Sequence, residues 1–422
     1  MSPTGRNLES EDAGSAPHGL SRRELLTLIS ALMALMALGI DIILPAFDDI
    51  RTSFNLSDSS GQERQIITIY FIGLAIAQLF FGPLSDWFGR KPILYVGICI
   101  YLIGAIGSAL APSFSLLMVA RFVWGVGAAG SRVVAVAIIR DSFEGNRMAK
   151  AMSEIMAVFV LVPIIAPALG AGIIEVFPWQ GIFWFCVLWA IAIGTWSLRL
   201  SETLNPDYRT KVDIKTTISG YRRVCTTRIP ATYTIASIFL QAIFVLYLSS
   251  SEQIISDILG RGDQFPFIFG TVAILFGVTS LLNGQFVMIF GIRKILFCAS
   301  IFLVFTSAAL LVVTVAADGI PSFWVFIPIL AVMLSTFMFL MPNLNSAALF
   351  PLPDIAGTAS ALTSAIRMGF GALIGGLITT QVDSSLTPFS IGVLCLTTAT
   401  AITILFAGDP LPEEKVQELS VS

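Results

Sequence analysis

Twelve stretches of roughly twenty mostly apolar residues run through this chain, near 25–47, 65–84, 92–111, 114–138, 151–174, 181–199, 231–251, 265–290, 293–316, 322–349, 355–380 and 386–407. About twenty residues of helix cross the hydrocarbon core of a bilayer. Inside lipid the backbone must satisfy its own polar groups, so each run reads as a transmembrane helix. Composition supports the reading: 56% of the 422 residues are hydrophobic and 12% are charged, against about 25% charged in soluble domains. A soluble fold lacks the polar cover for that much apolar surface. The fold class expected is all-α, a polytopic membrane protein.

Short polar turns separate the runs, and the longest connection, 200–230, is basic. The chain therefore divides into a polar tail (1–24), a six-helix unit (25–199), a linker (200–230), a second six-helix unit (231–407) and a C-terminal tail (408–422). The first tail has no short apolar core or small-residue cleavage site, so it does not read as a signal peptide. Lys and Arg are distributed very unevenly. With the N-terminus on one face, eighteen of the 24 lie on that face, and only Arg51, Arg64 and Arg261 lie on the other. The positive-inside rule places both termini in the cytoplasm of a cell (inner) membrane protein. The loop after the second run, GPLSDWFGRKPIL from Gly82, is echoed after the eighth by GQFVMIFGIRKIL from Gly284. Both keep Gly-x6-Gly, a basic pair and an apolar run, as a duplicated unit would. Met288 stands where the first copy has Asp86.

Several classes are disfavoured. The five cysteines have no ligand spacing, and the single histidine, His18, lies in the N-terminal tail. No metal, cofactor or enzymatic site is expected. A net charge of −3 does not point to nucleic acid. Neither a nucleotide-binding loop nor a sensor domain is apparent, which leaves a receptor or enzyme as a remote alternative.

Charges within the runs carry the functional signal, because an acid or base at membrane depth costs about 2.5–3.5 kcal/mol on insertion scales. Asp41 in the first span is the leading candidate to bind a transported proton. The alternative is an acid near the outer interface, since Pro45 and Asp48 follow. Arg132 and Arg367 sit near the middle of spans in opposite halves. They pair with a carboxylate, face lipid and snorkel, which such depth disfavours, or line a cavity and attract an anionic or zwitterionic substrate. Glu154 follows Lys150 by four residues, the spacing of a helix-surface salt bridge. Glu252 and Gln253 either close the outer mouth of a cavity or face solvent. Asn343 and Asn345, beside Pro342, suggest a bent tenth span with inward polar groups. Gln78, Gln241 and Asn283 are further polar positions, either cavity-lining or helix–helix contacts. Trp179, Trp184 and Trp324 fit an interfacial belt.

The motifs resemble those of a known family. GPLSDWFGRKP is similar to the signature loop of the major facilitator superfamily, G-x-L-a-D-r-x-G-r-k, at Gly82, Leu84, Asp86, Gly89, Arg90 and Lys91. RFVWGVGAA from Arg121 resembles the fourth-span motif R-x-x-Q-G-x-G-a-a, with Trp124 in place of Gln. PIIAPALGA from Pro163 resembles the fifth-span antiporter motif, keeping Pro167 and Gly170. IDIILPA (40–46), IIRDSF (138–143), SETL (201–204) and AGTASAL (356–362) narrow the likeness to Bcr/CflA-type drug:proton antiporters. The resemblance implies two six-helix bundles in a major facilitator fold, alternating access and efflux of a drug-like or lipophilic molecule in exchange for protons, by a monomer. It implies that Asp86 latches one conformational state, the alternative being a solvated charge, and that Arg121 pairs with Asp41. Export of another anionic or zwitterionic metabolite, such as a siderophore, amino acid or sugar, is the main alternative.

Overall fold

The computed structural model describes residues 19–57, 61–143, 145–205 and 214–407. Most of the first tail, positions 206–213 of the linker and the whole of 408–422 lie outside the described residues. Among the described residues there are helices and turns but no strands. The first half contains α1 (Arg22–Asp41), α2 (Phe47–Ser53), α3 (Gln65–Phe88), α4 (Arg90–Ala109), α5 (Phe114–Ser142), α6 (Gly145–Ile174) and α7 (Gln180–Trp196). The linker contributes α8 (Ile214–Thr226), which the sequence reading did not anticipate. The second half contains α9 (Arg228–Gln253), α10 (Phe265–Phe290), α11 (Ile292–Ala316), α12 (Phe323–Ser335), α13 (Phe337–Leu349), α14 (Ala356–Thr379) and α15 (Thr387–Phe406). Among the described residues twelve segments are long and apolar enough to cross a membrane, each overlapping one expected run.

Two spans are interrupted. The first pauses in a 3-10 turn at Leu44–Ala46 before α2. Pro45 sits there in the first turn, where a missing N–H costs nothing. The tenth breaks at Thr336, between α12 and α13, upstream of Pro342, which lies inside α13. Many large apolar side chains face outward, among them Phe80, Leu188, Phe267, Leu281 and Phe305. That is the arrangement lipid favours.

Glycines let backbones approach closely in the first half. A Cβ at Gly73 would collide with the Phe122 carbonyl, and one at Gly125 with the Tyr70 carbonyl. Both contacts join α3 to α5, as small residues do in membrane helix pairs. The repeated loops share a backbone shape. Gly89 has φ 104°, ψ 160° and Gly291 has φ 77°, ψ 156°. This region is essentially reserved for glycine.

The halves meet away from the face that carries Arg90, Lys91, Arg140, Arg199, Arg223, Arg293 and Lys294, here called the basic face. Near the opposite face, Arg64 Nη1 donates to the carbonyls of Thr379 (3.1 Å) and Val382 (2.7 Å), and Gln65 Nε2 donates to that of Gly376 (2.9 Å). At mid-depth Gly369 meets Ala75. Toward the basic face, Cβ positions at Gly82 and Gly357 have nothing within 4 Å. There α8 makes the connection. Tyr221 and Val224 pack with Leu79 of α3 and Leu352, Ala359 and Leu362 of the second half, and Arg223 pairs with Asp354. The protein is closed on the face opposite the basic one.

Candidate functional site

The Gly82–Lys91 loop is a charge network at the basic face. Gly89 ends α3, and Arg90 begins α4 with its guanidinium 3% exposed. That group pairs with Asp86 and, through Nε, with Asp141 of α5 at 2.7 Å. Its Nη1 also donates to Ser85 Oγ at 2.9 Å. Arg140 lies 3.8 Å from Asp86. Glu202 caps α4: Oε1 accepts from the backbone N–H of Arg90 (2.9 Å), Thr203 (3.0 Å) and Leu204 (3.0 Å), and Oε2 from that of Lys91 (3.2 Å). The first N–H groups of a helix lack internal partners, and a carboxylate there also meets the positive end of the helix dipole. Lys91 Nζ donates to the Leu198 carbonyl at 3.0 Å. Sequence reasoning did not single out Asp141 or Glu202. Their signal was present, since each lies in a stretch, IIRDSF or SETL, that carried the family likeness.

Asp41 is the last residue of α1 and is 4% exposed. Among the described residues it has no ion-pair partner. The expected pairing with Arg121 is not formed. Arg121, 0% exposed, instead donates from Nη2 to the Gly39 carbonyl at 2.8 Å. Its guanidinium lies over the rings of Tyr70 (4.7 Å) and Trp124 (4.8 Å), while Nε and Nη1 have no hydrogen-bond partner among the described residues. The physical reason is local. Gly39 presents a carbonyl in the last turn of α1, at the negative end of its dipole, and the two aromatic faces complete the cation's shell. Trp124, the departure from the motif glutamine, is fully buried between Tyr70, Tyr101 and Phe183.

The antiporter-type segment lies beside Asp41. Pro163 and Pro167 lie within α6, and a Cβ at Gly170 would strike the Ile42 carbonyl. Gly170 thus lets α6 close over the end of α1. From the other half, Asp41 lies within electrostatic range of Tyr247 of α9, whose buried hydroxyl has no hydrogen-bond partner among the described residues.

Arg132 of α5 and Arg367 of α14 are linked across the halves through Gln78. Arg132 Nη1 donates to Gln78 Oε1 at 3.3 Å, and Gln78 Nε2 reaches Met368 Sδ of α14 at 2.9 Å. Arg367 Nη1 contacts Met341 Sδ at 3.0 Å. The two charges lie close enough to interact. Each residue is partly exposed although mid-span. Neither has a carboxylate partner among the described residues.

The other candidates are placed as follows. Glu252 (8% exposed) faces Asp48 and Asp257 at the closed face, with carboxylate oxygens within 4.8 Å of one another. Gln253 donates to the Asp383 carbonyl at 2.8 Å. Asn343 bonds Asn283 at 2.8 Å inside the second half, whereas Asn345 is exposed. Gln241 packs at Gly371, between α9 and α14. These last contacts hold helices together rather than line the space between the halves. Glu154 pairs with Arg22 of α1 at 2.9 Å, not with Lys150, because α6 lies against α1. Trp179 is buried and donates to Ser53 Oγ at 2.9 Å, while Trp184 and Trp324 remain exposed. Two grooves of about 610 and 670 Å³ are lined largely by apolar side chains, the first by α10–α13 and the second by α1, α6 and α7. None of Asp41, Arg121, Arg132 or Arg367 lines either.

The sequence matches the Major Facilitator Superfamily over residues 29–376. It is 28% identical over 352 residues to a bicyclomycin resistance protein homolog of Haemophilus influenzae, covering 83% of this chain and 87% of that one. It is 29% identical over 414 residues to an MFS-type transporter, YdgK, of Bacillus subtilis, covering 96% and 99%. It is 29% identical over 266 residues to the multidrug resistance protein MdtL of Salmonella heidelberg, covering 63% and 66%. Among solved structures, a D-xylose-proton symporter superposes with a TM-score of 0.76 at 14% identity, over 93% of this chain and 98% of that chain.

Proposed function

Since the chain belongs to the Major Facilitator Superfamily, a family of multi-pass membrane transporters of small molecules, we propose that it exports a small molecule from the cytoplasm in exchange for protons. It works as a monomer in the cell (inner) membrane, with both termini and the basic face cytoplasmic. Exchange proceeds by alternating access between the two six-helix bundles. The state described above, closed opposite the basic face, is then the inward-facing one. The names of the bicyclomycin and multidrug resistance relatives support a drug-like cargo.

One observation carries the proton. Asp41 is a buried carboxylate at the end of a broken first span, with no ion-pair partner among the described residues and within electrostatic range of Tyr70 of its own half and Tyr247 of the other. An ionised acid there is expensive, and binding a proton removes that cost. The protonated form suits close packing of α9 on α1. The ionised form favours a state that brings Asp41 water or a cation. Such differential affinity lets proton binding shift the population between states. Arg121, held on the Gly39 carbonyl next to Asp41, is one cation a small shift of α1 could offer.

The test is transport by reconstituted Asp41→Asn under an imposed pH gradient. Loss of gradient-driven flux, with downhill exchange of substrate retained, is the expected outcome. Full proton-coupled activity would sink the assignment of Asp41.

A further inference from the structure

Arg121, Arg132 and Arg367 lie well inside apolar runs, and among the described residues none of the three is ion-paired to a carboxylate. Arg121 is enclosed by Gly39, Tyr70 and Trp124. Arg132 and Arg367 differ from it in being partly exposed. Their hydrogen-bonding partners are a glutamine oxygen and a thioether, both neutral and the second a weak acceptor. A guanidinium presents five N–H donors, so most of the donors of both groups remain available. Like charges within electrostatic range repel, and in surroundings of low dielectric that repulsion is weakly screened. A pair held so is stabilised by whatever anion comes between them. The pair also spans the interface, Arg132 on α5 and Arg367 on α14. Gln78 is bonded to Arg132 and reaches Met368, the neighbour of Arg367. Ser360, Ser364 and Arg367, spaced four and three residues apart, share one partly exposed face of α14 leading toward the basic face.

We propose that Arg132 and Arg367 together bind the acidic group of an organic anion, so that the cargo carries a carboxylate, sulfonate or phosphonate clamped between the two halves. Planar guanidinium groups match such oxyanions through paired N–H bonds. An anion between them neutralises the repulsion and draws α5 toward α14. A neutral or cationic compound leaves the repulsion in place or adds to it. This inference deepens the export reading by naming the cargo's class, and it is tested without transport.

Three matched naphthalene probes carrying a sulfonate, a hydroxymethyl or a trimethylammonium group are titrated into full-length protein in lipid nanodiscs, with no proton gradient. The sulfonate is expected to bind at least tenfold more tightly than the alcohol, and the ammonium probe most weakly. Arg132→Gln and Arg367→Gln should each reduce the sulfonate-to-alcohol affinity ratio about tenfold, the size of one charged hydrogen-bonding contact. Arg132→Lys and Arg367→Lys, which keep the charge, should retain a sulfonate preference with a steeper loss in salt. They decide the matter if the glutamine variants fold poorly. Equal binding of sulfonate and alcohol by the wild type, or an unchanged ratio in the variants, overturns the proposal. Failure of Asp41→Asn to uncouple transport would leave these affinities untouched, so the two readings fail separately.

Discussion

Asp141, outside the signature loop, should matter more to the Arg90 network than Asp86, the acid within it. The perturbation is Asp→Asn at each position, which preserves shape and removes charge. Arg90 is 3% exposed; its contact with Asp141 is 2.7 Å and that acid is 15% exposed, whereas Asp86 is 40% exposed. Two unit charges 4 Å apart attract by about 4 kcal/mol at an effective dielectric of 20 and by about 1 kcal/mol in water. The Asp141 pair lies toward the first limit and the Asp86 pair toward the second. Removing one partner of a buried pair also strands the other charge, whereas exposed pairs are worth about 0–1 kcal/mol. Asp141→Asn should therefore lose about 2–3 kcal/mol and Asp86→Asn under about 1 kcal/mol. The assay is thermal unfolding of purified protein in lipid nanodiscs, followed by tryptophan fluorescence. Arg90→Gln should add little in the Asp141→Asn background, since the partners act as a unit. A larger drop in melting temperature for Asp86→Asn than for Asp141→Asn would refute the reasoning that burial ranks these two acids.

Two other outcomes follow from the geometry. Gly89→Ala and Gly291→Ala should each destabilise by about 1–3 kcal/mol in the same melting assay, since both positions hold a positive φ with extended ψ. A marked loss at Gly89 alone would mean the second loop does not need its turn. If the cargo is an anion exchanged for one proton, each cycle moves two positive charges inward, worth about 4.6 kcal/mol per 100 mV. Flux of the naphthalene sulfonate out of the basic-face compartment should then rise when that compartment is made negative, and an insensitive flux would argue for neutral cycling.

Much of the fold was legible along the chain. Each of the twelve expected runs overlaps a span, most to within a few residues, although the first and seventh spans run six or seven residues further, because insertion of a helix depends mainly on its own side chains. The duplicated loop was legible because Gly-x6-Gly marks a backbone shape, and Gly89 and Gly291 share that shape. Less of the site could be read. Asp41 and Arg121 were singled out as charges in lipid, yet they do not pair: Arg121 turns to the Gly39 carbonyl and two rings. Glu154 was assigned to its helix neighbour Lys150 and is instead held by Arg22, 132 positions away. Asp141 and Glu202 lay within family-like stretches, but nothing along the chain indicated that they meet at Arg90. The linker helix α8 was missed because its charges masked a short apolar face, Tyr221 and Val224, that is covered only when α3 and α14 are in place.

The sequence by itself determined that this protein lives in a membrane, how many times it crosses, where its duplicated turns fall and which residues carry charge into the lipid. These are properties of single residues or short segments, set by transfer free energies and backbone preferences that add along the chain. Only the tertiary structure decided what each of those charges faces. That depends on how every helix is rotated and tilted against its neighbours, which packing settles across the whole assembly. So Asp41 comes within electrostatic range of Tyr247 of the other half with no ion-pair partner among the described residues, and Gln78 joins Arg132 to the neighbour of Arg367 across 290 residues of chain.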